Sequence, residues 1–146
     1  MTPSPIDADV VRQKLAAIED SLETLEGLGD VDKTRLRQDR VVAAAVERLI
    51  SRIVDLAVDI NSHVVSAVAG RGPGEYAESF RMAAGVELID SALSDDLVGS
   101  VGMRNVIVHQ YVDLDPGLIA AAIPLTLDGY RRYVSSAAAF VLRQDA

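Results

Sequence analysis

The chain has 146 residues, which fits a single folded domain, and 49 % of them are hydrophobic, too many for a disordered protein. It contains two histidines and no cysteine, which excludes disulfides and thiolate metal sites. The formal net charge is −8, so the chain as a whole lacks the basic surface that is typical of nucleic-acid-binding proteins. We therefore expect one soluble, cytoplasmic domain over residues 1–146, with no membrane segment and no metal or other cofactor.

Two helices are predicted in the N-terminal half. Apolar residues spaced by three and four predict a helix over residues 7–26, with Asp7 as its N-cap. A second helix is predicted from Asp30 or Asp32 to about Ala69, because no glycine or proline interrupts this stretch. At 1.5 Å per residue it would be about 50–60 Å long. We therefore expect it to bend, or to extend one end towards a partner subunit.

Three further helices are predicted in the C-terminal half, after a glycine-rich loop at residues 70–74. A short helix covers residues 75–84, a fourth begins near residue 86 and continues past residue 102, and the last covers residues 116–143. Asp115 is expected to cap this last helix, and Pro124 to kink it. No segment alternates as a strand would. The predicted fold class is therefore all-α, an up-and-down bundle of four long helices plus one short helix.

The candidate site is the octet Arg104-Asn105-Val106-Ile107-Val108-His109-Gln110-Tyr111. Cleavage of RNA without a metal requires that the 2′-hydroxyl lose its proton, that the phosphorane be stabilised and that the leaving oxygen be protonated. Histidine can move protons, and arginine can stabilise the charge that develops on the phosphoryl oxygens. DNA lacks the internal nucleophile of this route. We therefore predict Arg104 and His109 as catalytic residues acting on RNA.

Helical geometry limits how these side chains can cooperate. At about 100° per residue, Arg104 and His109 lie about 140° apart around the helix axis, whereas Arg104 and Tyr111 share a face. The Arg104 side chain could wrap around the helix, the helix could be distorted near its glycines, or a second copy of the chain could complete the site. Asn105, four residues before His109, could orient its ring. Since one histidine fills only one proton-transfer role, we favour a composite site in a dimer.

The octet resembles the signature Arg-x-x-x-x-His-x-Tyr of the HepT family, the minimal toxins of the HEPN superfamily. It matches at Arg104, His109 and Tyr111, and Asn105 is the residue that most often follows the arginine in the superfamily. The similarity continues along most of the chain in the same order, at Asp39-Arg40 before a long helix, Asp59-Ile60, Tyr76-Ala77-Glu78-Ser79-Phe80 and Asp113-Leu114-Asp115.

The resemblance implies a HEPN-like helical homodimer whose motifs face a shared cleft. It implies a metal-independent endoribonuclease, with tRNA among its candidate substrates, in which Arg104 and His109 are catalytic and Asn105 supports them. It also implies an MntA-like nucleotidyltransferase antitoxin that silences the toxin by transferring AMP to a tyrosine at the motif. The matching acceptor is Tyr111, because valine occupies the inner position 106. The chain would then be the toxin of a type VII-like toxin–antitoxin pair.

Two other functions are compatible with the sequence. The chain could be a non-catalytic helical dimer that binds RNA, nucleotide or a nucleotidyltransferase, or it could be the substrate-binding subunit of such an enzyme. The remaining arginines, among them Arg12, Arg40, Arg48 and Arg52, alternate with acidic residues and are interpreted as solvated ion pairs. His63 is interpreted as a packing or solvent-facing residue of the long helix.

Overall fold

The structure is a computed structural model that describes residues 5–110 and 114–145. In this part of the chain there is no strand, and the all-α fold class is confirmed. The four predicted long helices are present, together with two short ones. In chain order the helices are α1 (Ala8–Gly27), α2 (Lys33–Gln38), α3 (Arg40–Ala69), α4 (Tyr76–Gly85), α5 (Ser91–His109) and α6 (Pro116–Asp145).

Aspartates begin the long helices. The carboxylates of Asp7 and Asp115 accept hydrogen bonds from backbone N–H groups in the first turns of α1 and α6, as predicted. The helix that was expected to begin near residue 86 begins instead at Ser91, because the Asp90 carboxylate caps it at 2.7 Å. Each cap satisfies a backbone donor that has no partner within the helix.

The prediction of one continuous helix from Asp30 or Asp32 to Ala69 is wrong. Asp39 has an extended backbone (φ −123°, ψ 100°), which ends α2. Its carboxylate accepts from the N–H groups of Val41 and Val42 at 3.1 and 3.2 Å, which starts α3. A single side chain that competes for backbone donors therefore divides the predicted helix into a short piece and a long one.

The core consists of two apolar clusters. The larger joins α1, α3, α4, α5 and α6, and it contains the edge-on ring contacts of Phe80 with Tyr130 and Tyr133. The smaller contains Val46 and Ile50 from the N-terminal half of α3, and Ile107 from the last part of α5 packs against it. The C-terminal part of α5 thus lies beside the N-terminal half of α3.

Helices α5 and α6 approach each other closely at Gly129, where a Cβ atom would lie 3.0 Å from Cδ2 of Leu97. An apolar groove with a volume of about 440 Å³ lies between the two helices beside this contact, and Leu97 and Gly129 are among its lining residues. Its walls include Met103 and the exposed side chains of Leu118 and Leu125. Within the described residues, no helix combines the length and the apolar character that a membrane crossing requires.

Candidate functional site

Arg104 is held by contacts on three sides. Its Nε donates to Oδ1 of Asp55 on α3 at 2.9 Å, and its guanidinium carbon lies 4.7 Å from the centre of the Tyr76 ring on α4. Its Nη1 donates to Oδ1 of the neighbouring Asn105 at 3.3 Å. The side chain is only 17 % exposed. Nη2 has no hydrogen bond to any residue that the structure describes, so one corner of an oriented guanidinium remains available to a ligand.

Tyr76 connects the two charged groups of this cluster. Burial raises the pKa of its phenol, the charge and hydrogen bond of Asp55 raise it further, and the Arg104 guanidinium lowers it. The phenol therefore stays protonated at neutral pH. Its ring meanwhile covers one face of the guanidinium, a favourable cation–π geometry.

The start of α4, which carries Tyr76, is anchored by a buried polar chain. Ser79 Oγ donates to the Tyr76 carbonyl at 2.7 Å, and Asn61 Nδ2 donates to Ser79 Oγ at 3.2 Å. The hydroxyl of Tyr133 donates to Asn61 Oδ1 at 2.7 Å. Asn61, Ser79 and Tyr133 are buried, so these bonds fix the position of α4 beneath Arg104.

His109 is the last residue of α5, and its side chain is exposed. The predicted contact between Asn105 and His109 is absent, because Asn105 accepts from Arg104 instead. The helix continues through Gly99 and Gly102, so no break at the glycines brings Arg104 and His109 to one face. The predicted acceptor Tyr111 lies outside the described residues.

Sequence reasoning did not select Asp55 or Tyr76 as site residues. The segment that begins at Tyr76 was noted only for its resemblance to the family, and Asp55 was not noted at all. A partly buried arginine needs a carboxylate partner, which is the signal that could have prompted a search for Asp55. The partner lies 49 positions away in sequence, so only the packing of α3 against α5 identifies it.

The interpretation of the remaining arginines as ion pairs is confirmed at Arg12, whose Nη1 lies 3.4 Å from Asp9. It is wrong for Arg40, Arg48 and Arg52, which are exposed and form no ion pair with any described residue. His63 is half-buried and its Nε2 accepts from the N–H of Asp7 at 2.9 Å, in agreement with its structural interpretation.

The fold and the position of the motif define a HEPN-type helical bundle. The family model for ribonuclease HepT-like proteins matches residues 18–137. This segment contains Asp55, Tyr76, Arg104 and His109. The chain therefore belongs to the ribonuclease HepT-like family, and the resemblance found from the octet is confirmed.

Two relatives carry the family name. A tRNA nuclease HepT from Aphanizomenon flos-aquae is 33 % identical over 88 residues, which are 60 % of this chain and 60 % of that protein. An mRNA nuclease HepT from Shewanella oneidensis is 25 % identical over 126 residues, covering 86 % of this chain and 94 % of the relative. The match thus spans about three fifths of the first relative and nearly all of the second.

Solved structures share the fold. A tri-AMPylated HEPN toxin from Shewanella oneidensis, in complex with an MNT antitoxin, superposes with a TM-score of 0.80 at 24 % identity, over 90 % of this chain and 98 % of the toxin. The cytosolic protein YutE from Bacillus subtilis superposes with a TM-score of 0.79 at 16 % identity, over 92 % of this chain and 90 % of its own. At these identities the likeness supports the fold alone.

Proposed function

We propose that this chain is the toxin of a toxin–antitoxin pair and that it cleaves RNA without a metal ion. The observation that carries the proposal is the state of Arg104, which is oriented by Asp55 and Tyr76 yet keeps one corner of its guanidinium free. His109 lies exposed on the same helix. The relatives named tRNA and mRNA nucleases support RNA as the substrate class.

The chemistry uses the RNA's own nucleophile. The 2′-hydroxyl loses its proton and attacks the adjacent phosphorus, so that the O2′–P bond forms and the P–O5′ bond breaks. Arg104 stabilises the negative charge of the phosphorane. His109 transfers a proton, either from the nucleophile or to the leaving oxygen. The products are a 2′,3′-cyclic phosphate and a 5′-hydroxyl.

A homodimer would supply the second proton carrier. Arg104 points between α3 and α4, whereas His109 lies about 140° further around the helix and faces outward. We propose that a second copy packs against α5, so that Arg104 of one chain works with His109 of the other.

RNA cleavage in the presence of EDTA tests the activity. The purified chain, free of partner and unmodified, should cleave RNA but leave DNA intact. His109→Ala should lower the rate by about 10²–10⁴-fold and Arg104→Ala by about 10²–10³-fold. Intact RNA with the wild-type chain would overturn the proposal and would favour a non-catalytic binding module.

Mixing the two inactive variants tests the composite site. If Arg104 and His109 come from different chains, a heterodimer of Arg104→Ala with His109→Ala keeps one site in which both groups are present. The mixture should then recover about a quarter of the wild-type rate after subunit exchange. A mixture that stays inactive although the chains exchange would show that each site uses both groups of one chain.

We propose that a nucleotidyltransferase antitoxin silences the toxin by transferring AMP to Tyr111. The support is the family match together with the AMPylated state of the Shewanella toxin. The intact mass after incubation with an MntA-like nucleotidyltransferase and ATP should increase by whole AMP units. An equal increase in Tyr111→Phe would exclude Tyr111 as the acceptor.

A further inference from the structure

We propose that a row of three arginines on α3 binds the phosphates of the RNA that is cut at Arg104 and His109. The row consists of Arg40, Arg48 and Arg52 and is called here the α3 arginine row. The inference rests on the proposed ribonuclease function and adds the surface that holds the substrate. It also addresses how a chain with a net charge of −8 could bind a polyanion, since phosphate neutralisation supplies most of the affinity for nucleic acid.

The row has no acidic partner among the described residues, because the nearby carboxylates are already occupied. Asp55, three residues after Arg52 and within its reach on a helix, accepts from Arg104 instead. Asp59, one turn further along, lies 3.4 Å from Nζ of Lys14 on α1. Cations from other helices thus neutralise the two acids that follow Arg52 on this face, and within the described residues no arginine of the row forms an ion pair.

Glu47, next to Arg48 in sequence, forms no ion pair with any described residue. At about 100° per residue it lies about 100° around α3 from Arg48 and about 20° from Arg40, two turns away along the axis. It is half-buried, and burial raises the pKa of its carboxyl group.

The arginines of the row lie on one side of α3. Counting about 100° per residue, the three fall within a sector of about 120°, and Asp55 falls inside the same sector. From Arg40 to Arg52 the row extends about 18 Å along the axis, and Asp55 follows about 4.5 Å later. The row therefore leads along the helix to the carboxylate that holds Arg104.

The direction of α5 relates the row to Arg104. Arg104 contacts Asp55, whereas Ile107 packs against the cluster that contains Val46 and Ile50. The two helices therefore run antiparallel here, and beyond Arg104 the motif helix continues towards the level of Arg48 and Arg52 along the α3 axis. An RNA strand whose scissile phosphate meets Arg104 would then meet the row with its flanking phosphates.

Salt-dependent binding tests the row. The probe is a single-stranded 2′-O-methyl oligoribonucleotide, which lacks the nucleophile and stays intact whatever the activity of the chain. For single strands the slope of log K against log salt is about −0.7 per phosphate contact. The double variant Arg48→Gln/Arg52→Gln should therefore bind about tenfold more weakly near 0.15 M salt, with a slope shallower by about 1.4.

The matched control is Arg131→Gln/Arg132→Gln on α6. It removes the same charge, but these arginines are paired with Glu26 at 2.6 Å and Asp96 at 3.0 Å. The control should leave the slope unchanged, and in RNA cleavage only the row variant should raise KM while kcat is retained. Equal slopes of log K against log salt for the row variant and the control would overturn the inference. It would also be overturned if the row variant bound RNA like the wild type but bound the antitoxin more weakly.

A failure of the α3 arginine row can be distinguished from a failure of the ribonuclease proposal. A wild-type chain that cleaves RNA in EDTA while the row variant binds like the control contradicts the row alone. A wild-type chain that leaves RNA intact contradicts the ribonuclease proposal, whatever the binding slopes are.

Discussion

Arg104 and His109 share one helix but have opposite surroundings. Arg104 is 17 % exposed and is held by a carboxylate, an aromatic ring and an amide. His109 ends the helix with an exposed side chain and no hydrogen bond to another described residue. The fold thus fixes the group that would stabilise charge, and leaves the group that would move protons open to substrate or to a second chain.

The different surroundings of Arg104 and His109 suit the two roles that the proposed cleavage reaction requires. Electrostatic stabilisation works best when the donor is oriented before the reaction begins. Proton transfer instead requires contact with an atom of the substrate, so a histidine without internal partners can form that contact freely. Three sets of variants test this difference between Arg104 and His109.

The largest effects are expected for substitution of Arg104 and His109, whose variants should lose cleavage activity alike but differ in stability. Both His109→Ala and Arg104→Ala should abolish most of the cleavage activity. Only Arg104→Ala should also lower the free energy of unfolding, by about 1 kcal/mol, because it loses a partly buried ion pair and a cation–π contact. His109→Ala should stay within about 0.5 kcal/mol of wild type. Thermal unfolding measures the stability of both variants. An equal loss of stability in the two would contradict the different surroundings of Arg104 and His109.

The next effect concerns Asp55 as a positioning residue. Asp55→Ala should lower kcat by roughly 10- to 100-fold, because a small displacement of an oriented group is costly. Asp55→Asn keeps an oxygen that can accept from Nε of Arg104 and should retain most of the activity. The matched control is Asp59→Asn, which removes the ion pair with Lys14 and the weak effect of the Asp59 charge on Tyr76 but no contact with Arg104, and it should leave cleavage unchanged. Higher activity in both Asp55 variants would show that this carboxylate restrains Arg104 instead of positioning it.

The smallest effect is expected at Tyr76. Tyr76→Phe keeps a ring over the guanidinium and loses only the hydroxyl, so cleavage should stay near the wild-type rate. Tyr76→Leu also loses the cation–π contact, worth about 0.5–1 kcal/mol at an accessible site, and should cleave about two- to fivefold more slowly. Rates in the opposite order would show that the hydroxyl, and not the ring, holds Arg104.

Much of the fold follows from local signals in the sequence. The apolar spacing predicts the four long helices, and the aspartates at positions 7 and 115 mark two of their starts. The break at Asp39 was missed because the residues on either side favour helix, and the outcome depends on one side chain bonding to the N–H groups of Val41 and Val42. Such local competition is decided by geometry that a hydrophobic pattern does not record.

The candidate site is only partly readable from the sequence. Arg104 and His109 can be selected because their types and spacing suit a phosphodiester. Their difference in surroundings cannot be read in this way, since it arises from helices that are distant in sequence. Asp55 lies 49 positions before Arg104, and no periodicity along one helix indicates which arginines of α3 have lost their acidic neighbours to α1 and α5.

The buried chain from Tyr133 through Asn61 and Ser79 to the Tyr76 backbone offers a way to attenuate the proposed ribonuclease from its interior. None of the side chains of Tyr133, Asn61 and Ser79 meets solvent, so substitutions there would leave the surfaces that would meet RNA and antitoxin chemically unchanged. They would shift the position of the Tyr76 ring that lies on Arg104. Graded activity could thus be selected within the core, independently of substrate choice and partner recognition.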